Sequence, residues 1–579
     1  MRFSVWAPEA KAVELVAGER RVALQALEGG HWQCEAELGA DEGYRFSLDG
    51  GSPLPDPRSR WQRDGVHGAS FAIDAEALGG ARPASEAAGF RAVPLREAII
   101  YELHVGTFTA EGTYRAAQSK LGHLKSLGIT HVELLPLATF PGGRGWGYDG
   151  VDLYAPLPAY GTPHELAEFI QACHGMGIAV LLDVVYNHLG PDGNYIGRFG
   201  PYFTDRYKTG WGAAINYDGP QSDEVRRFVI DNALMWLNDY QFDGLRLDAV
   251  HAIFSFEAVH ILEDLAAEVS KLAADAHRNL VVIAESDLND PRLVRSVAKG
   301  GLGLDAHWCD DFHHAVHRFF TGETAGYYAD FDGLGDLAKA LRGGYVYQGQ
   351  YSVYRQRHHG RPPRGIGADQ MVVSAQNHDQ IGNRAQGERL SMLLEPAPLM
   401  AIAALTLLSP FVPMLFQGEE WGARTPFLYF TDHNEGLGRL VAEGRAREFS
   451  SFKWQGEVPN PQDPNTFLRS KLDWREMTEP AHAELFEWHR QLIGLRQSNR
   501  VGKVLRAKPA VKYSAQKNWL TYAHGGILAV FNFAGHPQRV PMPRGEWNLV
   551  LASQTAEGTD AGVSVVVPAR ATLIYRSRA

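Results

Sequence analysis

Residues 242–253 read FDGLRLDAVHAI. Arg246 and Asp248 stand two apart among Leu245, Leu247, Ala249 and Val250. In a strand, alternate side chains share a face. Arg246, Asp248 and Val250 are therefore expected on one side, with Leu245, Leu247 and Ala249 on the other. Burying one charge alone is expensive, and a buried pair breaks even only with good geometry. An isolated Arg-x-Asp is more simply a structural ion pair, since such pairs also perturb carboxylates. The alternative is that the cation keeps a working carboxylate charged and oriented. The position of the other acids decides between the two.

Similar apolar runs recur on both sides of this stretch. They are IIYELHV (99–105), ITHVELLPL (129–137), IAVLLDVV (178–185), GLRLDAV (244–250), LVVIAESD (280–287), LDAHWCDD (304–311), MVVSAQNHD (371–379) and PMLFQGEE (413–420). Each has the character of a strand buried on both faces. Helical stretches separate them. Thr162-Pro163-His164-Glu165 combines a capping box with proline at the first helical position, and Gly177 closes that helix. The long run 399–416 approaches membrane length, but Pro410 and Pro413 break it into a buried helix, a turn and a buried strand. Eight strands alternating with helices predict an α/β fold, a (β/α)8 TIM barrel whose site lies at the strand C-terminal ends. The barrel is expected over 89–500, with a short inserted subdomain at about 189–221. Residues 1–88 and 501–579 alternate polar and apolar, which predicts an N-terminal and a C-terminal β-sandwich. The Ala/Pro/Gly-rich stretch 79–90 is the expected first linker.

At 579 residues the chain is too long for one core. A net charge of −11 disfavours a nucleic-acid partner, which wants a basic footprint. The three cysteines, Cys34, Cys173 and Cys309, are far apart and fit neither a disulfide framework nor a zinc spacing. The start MRFSVWAPEA has no apolar segment of signal type, so a cytoplasmic protein without membrane contact is expected. Thirteen Trp and 22 Tyr allow aromatic lining of a ligand cleft, although core packing is their commoner use.

Polar residues gather at the C-terminal ends of the runs: DVVYNH (183–188), Arg246 with Asp248 and His251, AESD (284–287) and NHD (377–379). A barrel brings these ends around one mouth. Asp248, Glu285 and Asp379 then converge, although 37 and 94 residues separate them. Two facing carboxyls are what glycoside hydrolysis requires, one ionised to attack C1 and one protonated to release the leaving oxygen. Arg246 is expected to hold Asp248 ionised. Glu285, beside like charges in a partly closed cleft, is expected to hold its proton and act as acid, then base. Asp379 would stabilise the oxocarbenium-like transition state. The residues lack a calcium-loop or zinc pattern, so no metal or other cofactor is expected.

DVVYNH, GLRLDAVHA, AESD and QNHDQ stand in the order of the four short blocks of the α-amylase superfamily of retaining glycoside hydrolases, which the chain resembles over essentially its whole length. The resemblance implies nucleophile Asp248, acid/base Glu285 and transition-state stabiliser Asp379. It also implies that Tyr148 stacks on the attacked sugar, that His188 and His378 hydrogen-bond it, and that residues 1–88 resemble a carbohydrate-binding module. Asn187 falls where many amylases use a calcium ligand, but the short insertion lacks partner acids. PDPRSRWQRDGVHGAS (55–70) and WGYDGVDLYAP (146–156) are shared in style by glycogen branching enzymes and maltooligosyltrehalose trehalohydrolases. AESDLNDPRLV (284–294), NHDQIGNRAQGERL (377–390), His251 after DAV, and WCDDFHHAVH (308–317) resemble the trehalohydrolases. That implies hydrolysis of the α-1,4 bond beside the terminal trehalose of maltooligosyltrehalose, release of trehalose, and work alongside a maltooligosyltrehalose synthase. Arg246 and His378 are assigned to the attacked sugar. His251, Asp310, Asp311, His313 and Gln380 are candidates for the leaving side, as is RTPFLYFTDH (424–433).

Plainer readings stand beside these. Tyr148 and Trp146 suit a core, His188 suits a buried brace, Asp310, His313 and His314 suit a solvated face, and Glu419 and Glu420 suit structure. A branching enzyme is the alternative activity. A non-catalytic α-glucan-binding protein on an inactive barrel is a third reading, which the presence of all three acids disfavours.

Overall fold

The computed structural model describes residues 1–39, 41–74, 78, 90–451, 458–498, 509–555 and 563–578. Each of the eight apolar runs supplies one parallel strand. In chain order they are Ile100–Leu103, His131–Leu134, Ala179–Val184, Gly244–Leu247, Val281–Ala284, Ala306–Trp308, Met371–Ser374 and Val412–Phe416. The eighth pairs with the first, and the barrel closes. Burial on both faces explains why the runs are apolar throughout rather than alternating.

Ile100, Leu181, Ile283, Ala306, Val372, Val412 and Met414 pack together in the barrel interior. Above this apolar layer the inward positions turn polar. Glu102 is in register with Glu133 on the second strand, and Asp183 on the third with Arg246 on the fourth. All four are buried. The barrel therefore has an apolar floor and a charged upper layer at the strand C-terminal ends, where such folds build their sites.

The local signals hold. Helix Pro163–Gly175 carries the reciprocal cap between Thr162 and Glu165, and Gly177 follows in the left-handed region (φ 73°). The run 399–416 is a buried helix, Pro396–Leu407, then the eighth strand. Among the described residues no helix is long and apolar enough to cross a membrane.

The quoted stretch departs from expectation at its end. The fourth strand stops at Leu247, and Ala249 takes a left-handed conformation (φ 38°) that turns the chain into one 3₁₀ turn, Val250–Ala252. The expected face of Arg246, Asp248 and Val250 therefore does not extend to Val250. The backbone N–H of Asp248 still bonds the Val184 carbonyl (3.0 Å), which keeps Asp248 at the strand's lip.

Antiparallel sheets flank the barrel. On the N-terminal side, Arg2–Trp6, His31–Glu35 and Gln25–Ala26 form one sheet, and Arg20–Ala23, Val13–Ala17 and Arg45–Leu48 another. Arg58 and Arg60 tie the following segment to helix Ser222–Asn238 and its end through Asp231 and Asp239. On the C-terminal side, Ala510–Ser514, Trp519–His524, Ile527–Asn532, Thr572–Ser577 and Trp547–Ala552 form a five-stranded sheet beside the pair Gln538–Pro541 and Ser564–Val567. The proposed boundaries near 88 and 500 and nearly all of the linker 79–90 lie outside the described residues. Within 189–221 the chain forms a hairpin, Phe203–Thr209 with Gly212–Ile215.

Candidate active site

Arg246 is the hub of the charged layer, 2% exposed. Its Nη1 donates to both oxygens of Asp183 (2.9 Å each) and to Oδ1 of Asp248 (2.9 Å), and its Nη2 lies 3.8 Å from Oε2 of Glu285. Its guanidinium lies 4.1 Å from the centroid of the Trp308 ring. A buried cation persists only when several partners share it, and here the Asp183 and Asp248 carboxylates do, with the Glu285 carboxyl at the edge of its reach. Asn187 fixes the other side of Asp248, its Nδ2 donating to Oδ2 (2.8 Å) and to the Asp248 carbonyl (2.7 Å). Glu285 is held from the turn, where the Ala249 N–H donates to its Oε2 (2.6 Å) and the Val250 N–H to its carbonyl (3.0 Å). Burial pushes the Glu285 carboxyl well above the usual range. Arg246 opposes this, and Asp248, Asp310 and Asp379 reinforce it. Two carboxyls just past the ends of adjacent strands thus approach one arginine, and burial favours the protonated form of one of them.

Asp379 sits on a separately built turn. Asn377 caps helix His378–Gly382, accepting the N–H groups of Asp379 (3.0 Å) and Gln380 (3.2 Å), while Gln380 Oε1 accepts the Asn377 N–H (2.9 Å). Asp379 is exposed and accepts from Asn383 Nδ2 (2.6 Å). His378 is anchored to Glu102, its Nδ1 at 2.6 Å from Oε1 and its backbone N–H at 2.9 Å from Oε2. Its Nε2 is 2.8 Å from the Tyr148 hydroxyl, and that hydroxyl donates to Asp183 Oδ2 (2.7 Å). A phenol has one proton. With it given to Asp183, Nε2 is left to donate to Tyr148, and the Glu102 carboxylate beside Nδ1 favours a proton there as well, which favours the imidazolium form of His378. Burial pulls its pKa down, but the charge and hydrogen bond of Glu102 outweigh that, and the net shift is upward.

The expected sugar ligands divide on contact geometry. Tyr148 is half-buried and stacks on His378 (5.3 Å between centroids). His188 has Nδ1 against Asn187 Oδ1 and Nε2 3.0 Å from the Tyr148 carbonyl, and Trp211 stacks on its ring at 4.6 Å. Both ring nitrogens of His188 and of His378 have a partner within the protein.

The leaving-side candidates also divide. His251 is exposed on the turn after Asp248. Asp310 is half-buried at the start of helix Asp310–Thr321. It is pushed up to about 7 by burial and then by Asp379, Asp287 and Asp311. Gln380 lies with Nε2 3.5 Å from Asp310 Oδ1, its carbonyl engaged in the cap. Asp311 does not face the cleft. Its Oδ2 accepts from Asn289 Nδ2 (2.7 Å) and from the N–H groups of Val346 (2.6 Å) and Tyr347 (2.8 Å). His313 is also directed inward, Nδ1 2.6 Å from the Ala375 carbonyl and Nε2 2.9 Å from the Tyr328 hydroxyl. Consecutive helical residues lie about 100° apart, so a helix that points Asp310 at the mouth turns Asp311 away.

The aromatic segment after the eighth strand packs inward. Phe427 and Phe430 join Trp146 and Phe416 in a core cluster beneath the site. Glu420 is structural, 2.7 Å from His123 and 3.1 Å from the Tyr101 hydroxyl, and Glu419 accepts the Phe416 N–H (3.1 Å).

Sequence reasoning passed over Glu102, Asp183, Trp308 and Trp211 as site residues. Glu102 and Asp183 are visible in the sequence, each a single acid inside an apolar strand run, as Arg246 is a single cation in one. Trp308 stood in a quoted block without a role. Trp211, in an exposed hairpin turn, carried no signal.

The profile of the alpha-amylase family (alpha amylase, catalytic domain) matches residues 83–208. A malto-oligosyltrehalose trehalohydrolase of Rhizobium sp. (strain M-11) is 48% identical, covering 99% of this chain and 97% of that protein. One from Mycobacterium tuberculosis (strain CDC 1551 / Oshkosh) is 44% identical, covering 95% of each. A 1,4-alpha-glucan branching enzyme of Mesorhizobium japonicum is 26% identical, covering 99% of this chain and 77% of its own length. Among solved structures, one described as an alpha amylase from Salmonella typhimurium superposes with a TM-score of 0.88 at 36% identity, covering 100% of this chain and 97% of that one.

Proposed function

The chain belongs to the malto-oligosyltrehalose trehalohydrolases, and from that premise we propose that it cleaves the α-1,4 bond next to the terminal trehalose of maltooligosyltrehalose, releasing trehalose. One observation carries the chemistry: Arg246 bonds Asp248 directly and also approaches Glu285, whose carboxyl burial pushes up, toward its protonated form. That pairing suits a retaining mechanism.

In the first step Asp248 attacks C1 of the glucose beside trehalose. Glu285 gives its proton to the departing oxygen, so free trehalose leaves and a glycosyl ester forms on Asp248. In the second step ionised Glu285 takes a proton from water, which attacks the same C1. The ester bond breaks, the maltooligosaccharide departs in the α configuration, and both carboxyls return to their starting states. Asn187 and Arg246 hold the attacking carboxylate, so little reorganisation accompanies attack. Asp379 lies exposed on its capped turn and supplies negative charge to the oxocarbenium-like transition state. The Glu102–His378–Tyr148–Asp183 chain fixes the floor beneath the attacked sugar. His251, Asp310 and Gln380 are assigned to the leaving side.

The substrate is a glucan whose reducing end has become trehalose. A synthase that rearranges that terminal linkage would supply it, and both enzymes would work in the cytoplasm. The test compares products from maltooligosyltrehalose and from plain maltooligosaccharide. Free trehalose from the first with little action on the second supports the reading. New α-1,6 branch points formed from the second would make the protein a branching enzyme.

A further inference from the structure

The hairpin that brings Trp211 over His188 also builds an aromatic patch away from that contact. Its register shifts between Thr204 and Lys208, and the bulged residues include Arg206 and Tyr207. Bulges re-aim side chains. Tyr207 stacks on Phe254 (5.1 Å, 21° between planes) and lies 5.5 Å from Phe256. Phe254 and Phe256 follow the Asp248 turn, and Phe256 is 72% exposed.

This patch is built rather than incidental. One carboxylate oxygen, Asp218 Oδ2, accepts both the Tyr207 hydroxyl (2.8 Å) and the Phe256 N–H (3.0 Å). The Asp218 side chain is only 2% exposed, and its Oδ1 is without a hydrogen bond, with Arg206 Nη1 at 3.7 Å. Burying a carboxylate whose second oxygen has no hydrogen bond and only an exposed arginine at ion-pair distance costs stability. Fixing an exposed phenylalanine returns little, because that ring buries little area. The expense has a purpose if the rings bind a ligand. The guanidinium of Arg206 lies 5.2 Å from the centroid of the Tyr207 ring and is itself exposed, placing hydrogen-bond donors at the rim of an apolar platform. Flat rings with a planar donor beside them suit the C–H faces and hydroxyls of glucose units better than a protein partner, which needs a far larger buried area.

We propose that Tyr207, Phe254 and Phe256 form a second α-1,4-glucan-binding site, separate from the catalytic cleft. The site holds a glucan chain on the hairpin that also borders the cleft through Trp211. The inference rests on the reading that the protein acts on α-glucans.

The experiment titrates maltoheptaose calorimetrically into full-length protein in a Glu285→Gln background, where turnover is blocked. Two classes of site are expected. Phe256→Ala should leave one, and Phe256→Trp, which keeps a ring, should retain two. In the otherwise wild-type protein, Phe256→Ala should hydrolyse the shortest trehalose-capped substrate at an unchanged rate, which reports an intact fold and cleft. A single class in the parent that persists in Phe256→Ala, two classes persisting in Phe256→Ala, or a tenfold loss of that hydrolysis would each overturn the second site, whereas a single class lost in Phe256→Ala would place it on the platform. If the unsubstituted protein releases no trehalose from that substrate, the functional reading fails instead, whatever the titration gives.

Discussion

Arg246 has more partners than one ion pair needs, and each has a different task. Asp183 neutralises it on the barrel side, Asp248 faces the mouth, and Glu285 sits at the edge of its reach. The two mouth carboxyls have unequal work, and their variants should separate them. Asp248→Asn should lower kcat at least ~10³-fold on every substrate, because no glycosyl ester can form. Glu285→Gln should lose a similar factor on trehalose-capped glucan, yet still react with a glycosyl fluoride, whose leaving group needs no proton. Water activation is then slow as well, so intact-mass measurement should find the glycosyl ester on Asp248. Equal losses on both substrates, with no adduct, would remove Glu285 from the acid role. The pH profile tests the field around it. Glu285 must be protonated to act, so kcat/KM falls as pH rises through its folded pKa, which lies above the usual carboxyl range. Asp310 is one of the charges that raise it, so Asp310→Asn should move the alkaline limb to lower pH. A limb that stays put would show that Asp310 does not reach Glu285.

The elements explain both what the sequence revealed and what it hid. Burial on both faces leaves a continuous apolar run, so all eight strands were legible. A run does not show where a strand ends when the reversal uses Ala249 rather than Gly or Asn, and Val250 was placed on the wrong face for that reason. The left-handed Ala249 is strained, and the strain positions its N–H on Glu285. Ala249→Val, a branched side chain in that conformation, should destabilise the fold by ~2 kcal/mol or more and lower kcat. Ala249→Gly should do neither to that extent. Denaturant unfolding beside steady-state kinetics checks both, and a Val variant of normal stability would show that the turn adapts. Glu102 and Asp183 were visible as lone acids in apolar runs but not interpretable, since their meaning lies in contacts to His378 and Arg246 on other strands. Asp311 differs from Asp310 by one step of helical phase, which gives it backbone partners at Val346 and Tyr347 that composition does not reveal.

At the scale of the molecule, the chemistry and the choice of leaving group come from different levels of organisation. The turns that follow the fourth, fifth and seventh strands carry Asp248, Glu285 and Asp379, so their order along the chain follows the order of the strands. The leaving side is shaped by loops that meet only after folding. Asp311 shows this: the groups it gathers come from Asn289, 22 residues before it, and from Val346 and Tyr347, 35 and 36 residues after it. It braces the loop after the fifth strand against the segment 345–347, whereas His251 stands exposed beside the mouth. Trehalose differs from maltose in how its second glucose is directed, and a site discriminates such isomers through hydrogen bonds that the wrong sugar leaves unmet. The two residues should therefore behave differently in one measurement, kcat/KM for trehalose-capped glucan divided by kcat/KM for plain maltooligosaccharide. His251→Ala should lower this ratio about tenfold, the effect of one lost hydrogen bond to the sugar, with stability unchanged. Asp311→Asn should leave the ratio alone, reduce both activities together, and lower stability by ~1–3 kcal/mol, because buried N–H groups lose a charged acceptor. If Asp311→Asn changes the ratio while His251→Ala does not, discrimination runs through the shape of the braced loop rather than through a side chain at the mouth.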